Sequence, residues 1–196
     1  MNSLGKQVAV CGGSEKTKGL TNKVYHGDEI SLGQNVMIKC LATPCHTQDH
    51  ICYLSVERGA TSGAVFTGDT LFLGGCGKFF EGNPGPEQMN LALNTVLASL
   101  PDSTLVFCGH EYTESNLKFA VTVDPSPAVI NRLNQVNQLR SRQLPTIPGT
   151  IGEEKLTNPF MRVSNAAIQA RLGTYGDPIA TMAALREMKN NFRPPS

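Results

Sequence analysis

The sequence has no large excess of charge of either sign. Lys and Arg number 17 and Asp and Glu 16 among 196 residues, which gives a formal net charge of +1 at pH 7. Binding nucleic acid or an anionic membrane through the overall electric field needs a stronger imbalance than this. Helical basic stripes interleaved with aromatic residues are also missing. We therefore predict no nucleic-acid partner and no membrane partner.

Long apolar runs and targeting features are missing too. No run approaches the roughly 18 apolar residues of a membrane-spanning helix, and residues 1–6 are neither apolar nor Arg-rich. The six cysteines form no Cys-x-x-Cys pair, and four lie within apolar runs. This usage is typical of reduced, buried thiols in an intracellular protein. We expect a cytoplasmic protein, with a mitochondrial form as the alternative.

What the sequence does contain is typical of a globular protein, with 40% hydrophobic and 17% charged residues. Short apolar segments bounded by Gly, Pro or charged residues predict strands over 7–11, 36–42, 51–56, 64–67 and 104–108. Apolar residues at helical spacing predict a helix over 86–100, with Pro86 in its first turn. The alternation of strands with a helix indicates an α/β domain over residues 1–123.

The composition changes near residue 123, and no strand is predicted beyond it. Ser126 is a suitable N-cap for a helix whose apolar side would carry Val129, Ile130, Leu133, Val136 and Leu139. Further helices are predicted over 164–172 and, opened by Asp177 and Pro178, through Asn191. We predict a small helical domain over residues 124–196.

Three predicted strand ends carry side chains that bind metals. His46 follows the strand over 36–42, Asp69 follows Gly68, and His110 follows Gly109. Imidazole and carboxylate groups are suitable ligands for zinc, iron or manganese. Because all three lie at strand ends of one alternating domain, we predict that they share a metal site.

His50 lies four residues after His46, a spacing that could form a helical chelate. However, Ile51 begins an apolar segment with strand character, so a helix carrying both imidazoles is disfavoured. We predict that His50 supports the site through hydrogen bonds and is not itself a ligand.

Several longer motifs resemble the hydroxyacylglutathione hydrolases, or glyoxalase II enzymes, of the metallo-β-lactamase superfamily. The similarity runs through nearly the whole chain from residue 5, and its strongest segments are 41–47, 66–72, 75–82, 108–113 and 158–162. It implies a metallo-β-lactamase-type αββα sandwich followed by a helical, glutathione-binding C-terminal domain.

The resemblance also implies a reaction, the hydrolysis of S-D-lactoylglutathione to D-lactate and glutathione in methylglyoxal detoxification. Family members use two metal ions, zinc with iron or manganese as alternatives, and a metal-bound hydroxide. By this resemblance His46 binds one ion, His110 binds the other, and Asp69 bridges them as the catalytic carboxylate. A monomer with a small-molecule substrate is expected.

The residues that match the family's substrate-binding positions are Lys78, Phe79, Phe80, His110, Glu111, Tyr112, Arg186, Glu187, Met188 and Lys189. The chemistry fits independently, because glutathione carries two carboxylates and cations are their natural partners. Arg186 and Lys189 are three residues apart on a predicted helix and so share a face.

The sequence departs from the family in one large respect. Four family ligands come from a His-x-His-x-Asp-His motif, and no such motif occurs in this sequence. The first strands of the family's sandwich are missing as well. We therefore expect ligands for at most one well-held ion and weak or absent hydrolysis by the chain as written.

Two explanations are open for this departure: a fragment or isoform of a working enzyme, or a genuine short protein that binds glutathione conjugates without catalysis. Two smaller departures are Phe80, where the family usually has Tyr, and Asp49, where it usually has Gly.

Overall fold

The computed structural model describes residues 8–193. Their ten strands are β1 (Cys11–Gly12), β2 (Asn22–Lys23), β3 (Glu29–Leu32), β4 (Val36–Ala42), β5 (Ile51–Glu57), β6 (Ala64–Gly68), β7 (Leu71–Phe72), β8 (Gly75–Cys76), β9 (Leu105–Cys108) and β10 (Gly149–Thr150). Six of them form a mixed sheet in the order β10-β9-β6-β5-β4-β3. Only β6 and β9 pair in parallel within it, so these two strands end at the same edge.

The helices are α1 (Gly85–Asn90), α2 (Thr113–Val123), α3 (Pro127–Ser141), α4 (Ile151–Thr157), α5 (Ala166–Leu172) and α6 (Pro178–Asn191). A π-helical segment, Leu91–Leu97, continues α1, and a 3₁₀ turn spans Pro159–Met161. The helix predicted over 86–100 is therefore present, but its second half is wound more loosely. Between residues 8 and 193 no helix is long and apolar enough to cross a membrane.

Four of the five predicted strands are confirmed as β4, β5, β6 and β9, each within a residue of its predicted ends. The strand predicted over 7–11 is wrong for residues 8–10, and residue 7 lies outside the described part. The Val10 N–H is bound by the Thr21 side-chain oxygen at 2.8 Å, so the ladder between β1 and β2 begins only at Cys11.

The prediction of no strand beyond residue 123 is also wrong. Strand β10 pairs antiparallel with β9, with Gly149 opposite Val106 and Thr150 opposite Leu105. Gly149 and Thr150 follow a Pro-rich connector, and two residues are too few to show an alternating pattern. Their strand conformation therefore depends on the edge of β9 with which they pair. The division of the chain at residue 123 stays a prediction.

One buried core joins the sheet to the helices. Val65 and Val106 from the sheet belong to the same apolar cluster as Phe119, Phe160 and Leu185 from the helical segments. The second cluster lies between α2 and α3, where Leu117, Ala120, Val129 and Val136 are buried.

Helix α3 begins directly after Ser126, as predicted, but differs in detail. Ile130 was expected to face inward, yet it is 39% exposed. Ser126 is at the N-cap position, but its hydroxyl donates to Asp124 and makes no cap hydrogen bond. The other predicted opening is confirmed, because the Asp177 carboxylate accepts from the N–H groups of Ile179 and Ala180 at the start of α6.

Candidate active site

The edge where β6 and β9 end brings three side chains together. His46 lies in the turn after β4, Asp69 follows β6, and His110 follows β9. Asp69 Oδ2 is 3.5 Å from His46 Nε2, and Asp69 Oδ1 is 3.5 Å from His110 Nε2. One carboxylate therefore lies between two imidazoles and presents a separate oxygen to each.

Two glycines allow this close approach. A Cβ atom at Gly109 would lie 2.4 Å from Asp69 Oδ1. A Cβ atom at Gly77 would lie 2.0 Å from the Asp69 carbonyl oxygen and 2.9 Å from His46 Nδ1. Real Cβ atoms do not approach so closely, so any larger residue at either position would displace the carboxylate or its strand end.

The donor types suit a metal, but the number of donors is low. Each side of Asp69 has one imidazole and one carboxylate oxygen. Within the described part of the chain, no group of three or more His, Cys, Asp or Glu side chains is arranged to hold an ion. A catalytic zinc ion usually has three protein ligands. The side chains present are of types that bind metals, but there are fewer of them than a catalytic zinc site usually has.

His50 contacts residues next to the three candidate ligands at this edge of the sheet. Its Nδ1 atom is 3.0 Å from the hydroxyl oxygens of both Thr43 and Thr70, and its ring lies against Gly68. Burial, followed by the nearby His46, lowers the pKa of His50, while Asp69 acts in the opposite direction. The structural role predicted for His50 stays a prediction, and its contacts with the two hydroxyls are compatible with it.

A cavity of about 500 Å³ opens beside the three residues. Its walls include His46, Asp69 and His110 together with five predicted substrate-binding residues: Lys78, Phe80, Tyr112, Arg186 and Lys189. Other residues that line the cavity were not predicted from the sequence: Phe72, Cys76, Ser115, Asn116, Asn190, Phe192 and Arg193. Phe72 and Cys76 lie within motif segments, but the others lie on α2 and at the end of α6, where no motif marks them.

Arg186 is held firmly at the cavity wall. Its Nη1 atom donates to the Cys76 carbonyl oxygen at 3.0 Å, and its Nε atom donates to Asn190 Oδ1 at 2.8 Å. The guanidinium also lies 5.5 Å from the centre of the Phe160 ring. These contacts fix a buried cation, with its remaining donors available to a ligand.

Lys189 lies one turn further along α6. Its ammonium donates to the Ser115 carbonyl oxygen at 3.0 Å and lies 5.4 Å from the Phe119 ring centre. Burial, followed by repulsion from Arg186, lowers the pKa of Lys189 to about 8. A carboxylate bound beside it would favour the charged form.

Four predicted substrate-binding residues do not line this cavity. Phe79 packs against the core, and Glu187 and Met188 are exposed on another face of α6. The Glu111 carboxylate accepts from the Thr146 N–H at 2.9 Å. The helical period explains why Glu187 and Met188 do not line the cavity. Side chains one and two positions after Arg186 on α6 point in other directions than the Arg186 side chain.

The two smaller departures from the family motif occupy different places. The Asp49 carboxylate accepts a hydrogen bond from Ser14, and this bond, with a second from Thr47, lowers the pKa of Asp49. Phe80 instead stands at the cavity mouth, 69% exposed, with its ring 5.1 Å from that of His46.

Comparison with known sequences shows close relatives. A family model described as "Hydroxyacylglutathione hydrolase C-terminus" matches residues 111–192. The cytoplasmic hydroxyacylglutathione hydrolase of Arabidopsis thaliana is 49% identical over 195 residues, which cover 98% of this chain and 74% of the relative. The hydroxyacylglutathione hydrolase of Rippkaea orientalis is 45% identical over 190 residues, 94% of this chain and 72% of the relative.

Solved structures with the same fold were also found. The ETHE1 protein of Myxococcus xanthus aligns with a TM-score of 0.58 and 27% identity, covering 95% of this chain and 60% of its own. A metallo-β-lactamase from Staphylococcus aureus aligns with a TM-score of 0.56 and 23% identity, covering 98% of this chain and 52% of its own. The predicted fold class, a metallo-β-lactamase-type α/β arrangement followed by helices, is confirmed.

Proposed function

The chain belongs to the hydroxyacylglutathione hydrolase family, and from this premise we propose that it acts on acylated glutathione as a metal-dependent thioester hydrolase. The family predicted from the sequence motifs is thereby confirmed. The names of the relatives favour a hydrolase over the alternative, a non-catalytic module that binds glutathione conjugates. S-D-lactoylglutathione is the substrate that we propose.

One observation carries the proposal: the Asp69 carboxylate between two imidazoles lines the same cavity as two cations. Arg186 and Lys189 suit the carboxylates of glutathione, while His46 and His110 flank the place where a thioester would react. Arg186 binds the Cys76 carbonyl, two residues before Lys78, whose carbonyl oxygen is 3.0 Å from His46 Nδ1. A short backbone segment thus links the binding and reacting parts of the cavity.

We also propose a metal at this edge, zinc with iron or manganese as alternatives. His46 and Asp69 would hold an ion on one side, and His110 and Asp69 would hold one on the other. When bound, such an ion supplies a hydroxide nucleophile and polarises the thioester carbonyl. Two donors on each side are few, so we expect at most one well-held ion in the 196-residue chain. The cytoplasmic name of the Arabidopsis relative supports a cytoplasmic location.

The test combines binding with turnover. Purified chain, with and without added Zn²⁺, would be titrated with S-hexylglutathione in a calorimeter and assayed for loss of the S-D-lactoylglutathione thioester. We expect binding, with zinc-dependent hydrolysis that is slow because few ligands hold the ion. Binding with no hydrolysis at any zinc concentration would support the non-catalytic alternative. Failure to bind either compound would contradict both readings.

A further inference from the structure

A small buried hairpin forms one wall of the cavity. Strands β7 and β8 are two residues each, joined by a turn with Gly74 at a φ of 71°. Every residue from 71 to 77 is buried. A hairpin this short is not stable alone, and its buried backbone groups need partners from elsewhere.

Side chains from the helical segments supply those partners. Asn158 Nδ2 donates to the carbonyl oxygens of Phe72 at 3.3 Å and Gly75 at 3.0 Å. Glu154 Oε2 accepts from the Gly74 N–H at 2.8 Å. These contacts join residues separated by 80 or more positions in the chain.

A third side chain completes the set. Asn116 Nδ2, on α2, donates to the Leu73 carbonyl oxygen at 3.1 Å. The four consecutive residues 72–75 therefore each have a backbone polar group bound by a side chain from α2, from α4 or from Asn158, which directly follows α4. These side chains satisfy backbone groups of the hairpin that have no partner within it, which allows the hairpin to be buried.

Glu154 and Asn158 also bind each other. Asn158 Nδ2 donates to Glu154 Oε2 at 2.8 Å, and Asn158 Oδ1 accepts from the Phe160 N–H at 3.0 Å. Both side chains are almost wholly buried, with exposures of 1% and 0%. Because the network is buried and its main atoms are satisfied, removing one member leaves several groups unpaired.

The hairpin carries parts of the cavity. The Phe72 ring centre lies 5.2 Å from that of Tyr112 and 6.0 Å from that of His110. The chain then continues through Gly77, which is in close approach to the Asp69 backbone and His46. A movement of the hairpin would therefore shift the surroundings of both imidazoles.

We propose that Asn158 and Glu154 are positioning residues, which hold the hairpin so that Phe72 and the segment through Lys78 keep the shape of the cavity. Neither side chain lines the cavity, so they act through the hairpin backbone. The consequence for ligand binding rests on the proposed function, whereas the consequence for the hairpin does not.

The experiment compares four variants with the parent. Asn158→Ala removes the amide that contacts the Phe72 and Gly75 carbonyls, and Glu154→Met keeps side-chain length but removes the acceptor. Glu154→Gln is the conservative variant, because a single oxygen accepts both bonds and an amide oxygen can replace it. Asn165→Ala is the matched control: it removes an Asn that binds backbone N–H groups at the start of α5, away from the hairpin.

Two measurements are made on each variant: S-hexylglutathione affinity by calorimetry and amide hydrogen exchange by mass spectrometry. Asn158→Ala and Glu154→Met should weaken binding about tenfold. They should also speed exchange in residues 72–78 beyond any change in global stability. Glu154→Gln and Asn165→Ala should match the parent in both. If Asn158→Ala does not fold, the two Glu154 variants carry the comparison.

Two outcomes would overturn the proposal. One is a variant with lowered thermal stability but parental affinity and parental exchange in residues 72–78, which would indicate a merely structural role. The other is a set of imidazole NMR resonances for His46 and His110 that Asn158→Ala leaves unchanged. This measurement is needed if the parent itself binds no S-hexylglutathione, because the proposed function then fails and affinity cannot be compared.

Discussion

At the scale of single residues, Asp69 lies at the centre of the candidate site. Its two oxygens face different imidazoles, and glycines at positions 77 and 109 leave room for that arrangement. Asp49 is also a carboxylate near this edge, but its hydrogen bond to Ser14 directs it elsewhere. Substitution of Asp69 can therefore be tested with substitution of Asp49 as its control.

Replacing Asp69 by Ala should lower metal content and hydrolysis together. The reason is that the carboxylate contributes one donor to each side of the site, so its loss leaves lone imidazoles. Metal content after dialysis against dilute Zn²⁺ and S-D-lactoylglutathione turnover are the measurements. Asp49→Ala should retain the parental metal content. Parental metal loading and turnover in Asp69→Ala would refute the assignment.

Lys189 should make ligand binding depend on pH. Its pKa is lowered to about 8, so its ammonium loses its charge as the pH rises through that value. Arg186 and Cys76 are the other titratable groups that act on it. Affinity for the carboxylates of S-hexylglutathione should therefore fall between pH 7 and pH 9.

Calorimetry over this pH range checks the prediction against Lys189→Met, which should bind more weakly and lose this component of the pH dependence. Adding Arg186→Ala should weaken binding further, with a larger effect on KM than on kcat, because both cations hold a part of the substrate remote from the thioester. Identical pH profiles for parent and Lys189→Met would show that Lys189 does not bind the ligand.

At the scale of elements, helix α4 joins the helical segments to the sheet. A capping box opens it, with the Thr150 side chain accepting from the Glu153 N–H and the Glu153 carboxylate accepting from the Thr150 N–H. One turn later Glu154 points inward to the hairpin. Burial raises the pKa of Glu154 to about 7, against the hydrogen bonds from Gly74 and Asn158, which lower it.

This pKa has a consequence for stability. The usual value is 4.5, so between about pH 4.5 and 7 the folded chain holds a proton that the unfolded chain has released. The free energy of unfolding should therefore fall as the pH rises through this window, by roughly 3 kcal/mol from this group. Arg132 lowers this pKa and so reduces the effect, whereas Glu153 raises the pKa and so adds to it.

Urea unfolding of the parent and of Glu154→Gln at pH 5 and pH 7.5 provides the measurement. The amide does not titrate, so the variant should lose less stability across this interval than the parent does. Equal losses in the two proteins would mean that the carboxyl is already ionised at pH 5.

At the scale of the whole molecule, one core extends from the sheet into the helical segments. Phe160 is fully buried, stacks against Phe119 with ring centres 6.2 Å apart, and belongs to the same cluster as Val65 and Val106. Strand β10 adds a second connection by pairing with β9. Shared burial of this kind couples the two parts of the chain in unfolding.

Phe160→Ala should cost about 3–5 kcal/mol and destabilise the sheet as well as the helices. Circular dichroism in urea should show one transition in parent and variant, and amide exchange should accelerate in β6. Phe80→Ala is a matched control, since that ring is mostly exposed and should have little effect. Protection of β6 that survives in Phe160→Ala would instead support separate domains divided at residue 123.

The sequence by itself determined the family and the longer strands, and it predicted the candidate ligands. Strands β4, β5, β6 and β9 were predictable because apolar, β-branched runs between turn residues favour strands wherever they lie. Helix α6 was predictable because Asp177 and Pro178 form a local start signal. His46, Asp69 and His110 were recognisable because each belongs to a motif contained within a few residues.

Only the tertiary structure decided which side chains face the cavity and what holds its walls. Strand β10 exists because β9 offers an edge, and Asn116 and Asn158 have roles because a hairpin some 40 to 86 positions away presents unpaired carbonyls to them. The same holds for Glu111 and Met188, which adjoin site residues in sequence but point elsewhere. Contacts between distant segments leave no periodicity in either segment, so a sequence pattern cannot report them.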